Sequence, residues 1–301
     1  MRPRAAIDIG SNSILLTVVD GDGALLHDEA QVVGLGRGLG DRGLFAPDRI
    51  AAAETVLKDY AVKAQKHGVD PDRIKAVATS AARRAMNAQT WLSRIQRTIG
   101  LRVRIISGDE EARLTWLGAR RDLTLPEGPV LVIDIGGGST EVVLGVGDDV
   151  RQRVSLEVGS VRLTESYLGT GTADPAKLAR LRNHIDVEVR RLTLDPLPRT
   201  VIGTAGTVTT LATMALGLEA YDGQAVHGSR LTRADLARAI DSLLPASPEE
   251  RRRLVPAAPE RADYLLAGAC ILDRLVAAAR RQHVVVSDRG LRFGLLTRRG
   301  G

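Results

Sequence analysis

Val130-Leu-Val-Ile-Asp-Ile-Gly-Gly-Gly-Ser-Thr-Glu-Val-Val-Leu-Gly-Val-Gly147 is the stretch on which the fold turns. Val130–Ile133 is an apolar run that reads as a buried strand, with Asp134 at its end. Gly136, Gly137 and Gly138 turn the chain, and Thr140–Val146 reads as a return strand. Glycines lack a Cβ, so backbone N–H groups there can approach an anion closely. A carboxylate beside such a turn suits Mg²⁺ held against phosphate oxygens. Alone, the same residues also fit a plain β-hairpin with a glycine turn.

The N-terminus decides between these readings. Slid by 126 residues, Ile7-Asp8-Ile9-Gly10 falls on Ile133-Asp134-Ile135-Gly136, and Ser13 falls on Ser139. Each copy then runs through a strand, a Gly/Asp turn (Gly21-Asp22-Gly23; Gly147-Asp148-Asp149) and a second strand. This is an internal duplication in two copies. It predicts an α/β protein of two related domains, residues 1–124 and 125–301, with a cleft between two phosphate loops and the junction in Leu123–Pro129.

The remaining chain fills in that plan. Pro47 opens a helix to about His67, closed by Gly68; Ile74–Thr79 is a strand. The polar turn Ser80–Asn87 carries Arg83 and Arg84 at that strand's end, where α/β sheets place ligand contacts. After the strand Val103–Ile106, Ser107 and Glu110 have capping-box spacing, so Glu110 is accounted for as a cap reaching back to the Ser107 N–H. Glu111 is free of that duty and sits in the first turn, where the helix dipole also favours a carboxylate. Thr200–Ile202 is a further strand. Gly203-Thr-Ala-Gly-Thr207 after it opens a helix, placing Gly206 and Thr207 where an anion can bind. The glycine-rich loop Gly34–Gly40, Arg261 and Asp263 as a mutual pair, and the solvated run Arg251-Arg252-Arg253 are the other expectations.

Composition narrows the class. The chain has 301 residues with 44% hydrophobic and only 3% aromatic residues, so Leu, Val, Ile and Ala build the core. No apolar run approaches the roughly 18 residues of a membrane span, and Asp8 interrupts the first apolar stretch, so neither a membrane anchor nor a signal peptide is expected. One cysteine, Cys270, excludes an internal disulfide, fits a cytoplasmic protein, and reads as core. A net charge of +6 favours a polyanionic partner. Scarce aromatics argue against stacking platforms for single-stranded nucleic acid, and no nucleic-acid partner is expected.

Asp8-Ile-Gly-Ser-Asn-Ser13, Ile105-Ile-Ser-Gly-Asp-Glu-Glu-Ala112, Asp134-Ile-Gly-Gly-Gly-Ser-Thr-Glu141, Gly203-Thr-Ala-Gly-Thr207 and Arg261-Ala-Asp263, in this order, resemble the exopolyphosphatase/guanosine pentaphosphate phosphohydrolase family (Ppx/GppA) of the actin–sugar kinase superfamily. The resemblance covers essentially the whole chain. It implies two ribonuclease-H-like (actin-like) domains, with the last dozen or so residues returning to the first, and a homodimer as the expected assembly. It implies Mg²⁺, or Mn²⁺ in its place, near Asp8 and Asp134. It implies phosphate contacts from Ser11, Asn12, Ser13 and Arg83, from Gly136, Gly137, Gly138, Ser139 and Thr140, and from the Gly206–Thr207 loop. It implies that a glutamate of Glu110-Glu111-Ala112 is the base for the attacking water, here assigned to Glu111 because capping accounts for Glu110, with Glu110 as the alternative, and that Glu141 is a second acid near the reacting centre. The implied substrate is inorganic polyphosphate, with guanosine pentaphosphate as the alternative. A non-catalytic nucleotide-binding regulator and a small-molecule kinase are weaker rivals. Two departures stand out: Phe293 replaces the usual glutamate of Leu291-Arg-Phe-Gly294, and the HD-like C-terminal domain of longer members is not expected. The second predicts a preference for shorter chains.

Overall fold

A computed structural model describes residues 2–39, 43–147, 149–169 and 171–297. Gly40 and Asp148 of two predicted turns, and residues 298–301 of the expected terminal segment, lie outside the described residues. The chain divides into two compact units, residues up to Gly118 with those from Leu291 onward, and Ala119–Gly290.

The first unit holds strands β1 (Arg4–Ile9), β2 (Ser13–Val19), β3 (Leu25–Val32), β4 (Lys75–Ala78) and β5 (Val103–Ile105), in sheet order β3-β2-β1-β4-β5. The second holds β6 (Pro129–Ile135), β7 (Thr140–Val146), β8 (Asp149–Leu156), β9 (Thr200–Thr204), β10 (Arg230–Thr232) and β11 (His283–Val286), in order β10-β11-β9-β6-β7-β8. Read from the β1 and β6 hairpins, the sheets repeat one plan. An antiparallel three-strand meander is extended by two parallel strands on the far side of its first strand, and in the second sheet β10 adds an antiparallel edge. The α/β duplication inferred from the 126-residue slide is the architecture.

Helices pack on these sheets for local reasons. Pro47–Lys66 starts on its proline; it and Ala88–Ile99 end against Gly68 and Gly100, whose φ of +80° and +79° only glycine adopts at little cost. Pro175–Val189 has Asp174 as its cap, accepting from Lys177 N at 2.7 Å, and buries Leu178, Leu181, Ile185 and Val189 at helical spacing. Ala262–Ala278 is buried along most of its length and carries Cys270, whose thiol is pushed up to about 11 by burial.

Several local expectations change. The turn after β4 is itself helical, Ser80–Arg84, before the helix Ala88–Ile99 begins. Ser107 Oγ accepts from Glu110 N at 3.1 Å, but the Glu110 carboxylate takes the Arg104 guanidinium at 2.8 Å instead of closing the capping box. Arg251 is buried, donating from Nε to Leu243 O at 2.9 Å, so the arginine run is only partly solvated. Asp263 lies 3.4 Å from Arg252. Phe293 is core. In the terminal helix Leu291–Leu296, Leu291, Leu295 and Leu296 join Ala6, Val19, Val77 and Leu114, Arg292 pairs with Asp28 at 2.8 Å, and Gly294 lies flat against the Leu114 backbone. A Cβ at Gly294 would stand 2.0 Å from Leu114 O. The edge strand β10 had no sequence signal beyond three residues, Arg230–Thr232.

Candidate active site

In the first unit the turn from β1 to β2 is built by one bond, Gly10 N to Ser13 O at 2.9 Å. Ser11 and Asn12 fill its tip. The segment after β3 closes on it: Val33 N and Gly34 N donate to Asn12 O, and Gly36 N donates to Ser11 O at 2.7 Å. Asn12 Oδ1 is buried with no hydrogen bond to the protein, a polar atom that a ligand donor would satisfy. Asp8, one residue before the end of β1, pairs with Leu15 of β2.

The same unit brings together two side chains set 28 residues apart. Arg83, in the short helix after β4, donates from Nη1 to Glu111 Oε2 at 2.6 Å and to Ile106 O at 2.9 Å. The Glu111 side chain is 10% exposed and that of Arg83 24%. Glu111 belongs to the helix Gly108–Ala119, its N–H bonded to Ser107 O. Its carboxylate is thus held in one orientation by a charge-assisted bond.

In the second unit the turn from β6 to β7 repeats the first, with Gly136 N to Ser139 O at 3.0 Å. None of Gly136, Gly137 and Gly138 adopts a left-handed φ; close approach is their requirement. Gly159 presses on this loop so tightly that a Cβ would stand 2.5 Å from Gly137 O and Gly138 C. Ser160 N donates to Gly136 O, and Val161 N and Arg162 N share Gly137 O. Thr140 Oγ1 donates to Val158 O at 2.6 Å. Asp134 faces Glu141 across the hairpin, and Glu141, 1% exposed, accepts from Ser139 Oγ at 2.9 Å and Ser155 Oγ at 2.8 Å.

β9 runs parallel to β6, so its loop opens at the same sheet end as Asp134. The residue that turns this loop into its helix, Ala205–Ala215, is Ala205 at φ +69°, a strained conformation for a residue with a Cβ. Gly203 and Gly206 serve close packing instead. A Cβ on Gly206 would stand 1.4 Å from Arg261 Nη1, so the Arg261 guanidinium lies directly on the anion-favouring start of that helix. Thr207 packs on Gly268. Sequence reasoning gave Arg261 a structural part; its position marks it as a site residue.

Among the described residues no cluster of three or more His, Cys, Asp or Glu forms a metal cage from protein alone. The donors present are hard carboxylate oxygens, which suit a Mg²⁺ completed by waters and phosphate oxygens. Gly290 lies beside Asp134: a Cβ on it would stand 3.3 Å from Thr204 Oγ1 and 4.0 Å from Asp134 Oδ2.

The model of the Ppx/GppA phosphatase family matches residues 15–299. The chain belongs to that family. Among curated Ppx/GppA relatives, exopolyphosphatase 2 of Mycobacterium tuberculosis is 37% identical over 92% of this chain and 91% of its own length. Exopolyphosphatase 1 of Mycobacterium bovis is 28% identical over 97% and 87%. Two solved structures are similar throughout. A Ppx/GppA family member from Aquifex aeolicus has a TM-score of 0.81 and 35% identity, over 98% of this chain and 96% of that one. An exopolyphosphatase from Cytophaga hutchinsonii has a TM-score of 0.90 and 26% identity, over 98% and 96%. The two-domain actin-like architecture is thus that of the Ppx/GppA proteins. No described helix is long and apolar enough to cross a membrane.

Proposed function

We propose that this chain is an exopolyphosphatase that hydrolyses the terminal phosphoanhydride of inorganic polyphosphate and releases orthophosphate. The observation that carries this reading is the Glu111–Arg83 pair. A nearly buried carboxylate is held at 2.6 Å by a guanidinium. It lies in the same unit as the phosphate-loop hairpin, on a family member similar to two relatives named exopolyphosphatases.

Glu111 is the base that orients and deprotonates the attacking water, and Arg83 fixes its rotamer and faces phosphate oxygens as charge develops. Ser11, Asn12 and Ser13 in one unit, and Gly136 to Thr140 in the other, take phosphate oxygens through backbone N–H and hydroxyl groups. Gly206, Thr207 and Arg261 hold phosphate at the start of the helix Ala205–Ala215. Glu141, locked by Ser139 and Ser155, acts near the reacting phosphorus. Asp8 and Asp134 would hold Mg²⁺, or Mn²⁺, which neutralises charge on the transferred phosphoryl group. Hydrolysis of guanosine pentaphosphate at the same residues is the alternative substrate.

The test is phosphate release from short polyphosphate, long polyphosphate and guanosine pentaphosphate by wild type and Glu111→Gln. Turnover of polyphosphate should fall about 10²–10⁴-fold in the variant, with substrate binding retained. Release from the nucleotide alone would reassign the substrate. An unaffected variant would remove Glu111 as the base.

A further inference from the structure

The strands that deliver phosphate loops at one end of the second sheet begin at a separate cavity. β9 and β11 run parallel, with Thr204 and Val286 at their far ends. Their first residues, Thr200 and His283, line a cavity of about 500 Å³. Thr200 and Thr204 are four residues apart, so the cavity stands about 13 Å from the loop end of the same strand.

The walls of this cavity are of two kinds. Leu123, Leu125, Pro126, Val201 and Val285 supply apolar surface. Arg199, Arg230 and Arg281 supply three guanidinium groups. Among the described residues none of these three has an ion-pair partner. Arg199 reaches only the Glu127 carbonyl, at 3.4 Å. Arg281 Nε is buried and makes no hydrogen bond to the protein. The one carboxylate in the lining, Asp122, is already taken by Arg289 at 3.1 Å, with Arg121 at 3.7 Å. His227 adds no charge near neutrality, because burial and Arg289 push its pKa down. Its Nδ1 accepts Asp288 N at 3.3 Å.

Three uncompensated guanidinium groups select an anion of several charges, and planar forks of N–H donors match phosphate oxygens. An apolar wall is wasted on a bare phosphate chain but suits a flat ring, and the volume falls within the range of small-molecule sites. We propose that this cavity binds a nucleoside polyphosphate, with its phosphates on Arg199, Arg230 and Arg281 and its base against the Leu123, Val201 and Val285 wall. The site is distinct from the candidate active site, so it does not depend on the reaction proposed above.

Hydrogen exchange read by mass spectrometry tests it on the full chain. EDTA is present so that no metal-dependent turnover occurs. ATP should slow exchange in residues 122–126, 199–201 and 281–285 of wild type. In Arg230→Glu/Arg281→Glu that protection should need roughly tenfold or more ATP, while metal-supported phosphate release stays near wild type and reports an intact fold. Inorganic tripolyphosphate should protect these segments far less than ATP. Equal protection by tripolyphosphate would overturn the nucleoside assignment. Unchanged protection in the double variant would overturn the role of the arginines. No protection by millimolar ATP would overturn the site.

Discussion

The two hairpin loops share a backbone and differ in chemistry. Gly10 N–Ser13 O and Gly136 N–Ser139 O are the same bond in two copies, at 2.9 and 3.0 Å. At the paired position across the hairpin, Asp8 faces Leu15 while Asp134 faces Glu141. At the loop tip, Ser11 and Asn12 stand where the second copy has Gly137 and Gly138. The segment behind the loop also differs: by strand register Gly34 is the counterpart of Gly159, and a Cβ on Gly34 would meet the Arg37 side chain, whereas one on Gly159 would meet the Gly137 and Gly138 backbone. The duplication gives two turns of one backbone; the second carries a buried acid and a tighter mould, and the first carries side-chain donors at its tip.

That contrast can be broken experimentally. The largest effect is expected at Glu141. Glu141→Gln keeps the shape that Ser139 and Ser155 grip but removes the charge, and kcat for phosphate release should fall about 10²–10⁴-fold. Full turnover in this variant would make the second copy's acid structural and erase the distinction from Leu15.

Next come the two carboxylates that the copies share. Asp134→Asn and Asp8→Asn should each raise the Mg²⁺ concentration needed for half-maximal release about 10–100-fold. Loss in one variant alone would show that a single copy carries the metal. The smallest effect concerns the mould. Gly159→Ala forces a Cβ to 2.5 Å from the Gly137 backbone and should cost about 1–3 kcal/mol in urea unfolding. A neutral Gly159→Ala would mean the second loop is as tolerant as the first.

Much of this was legible in the chain because the duplication preserves both the apolar alternation and the Asp-x-Gly turn. The slide alone aligns β1 with β6 and β2 with β7. What sequence could not supply were pairings made across elements. Arg83 and Glu111 were each singled out, but for separate tasks. Their contact depends on β4 and β5 being sheet neighbours, so that the helices after them open side by side. Glycine counting also misled in the third loop. The left-handed residue there is Ala205, while Gly206 is needed so that the Arg261 guanidinium can lie on it, a demand from 55 residues away. Arg251 looked solvated because its neighbours are. It is buried because its position in the helix Pro248–Leu254 points at the Leu243 carbonyl.

Cys270 gives the second unit a built-in clock. It is the chain's only thiol, wholly buried mid-helix, and its ionisation is pushed up to about 11. A maleimide dye therefore has one target and reaches it only when the helix Ala262–Ala278 opens. Labelling rates with and without polyphosphate would time that opening directly, with no engineered probe and no signal from the first unit.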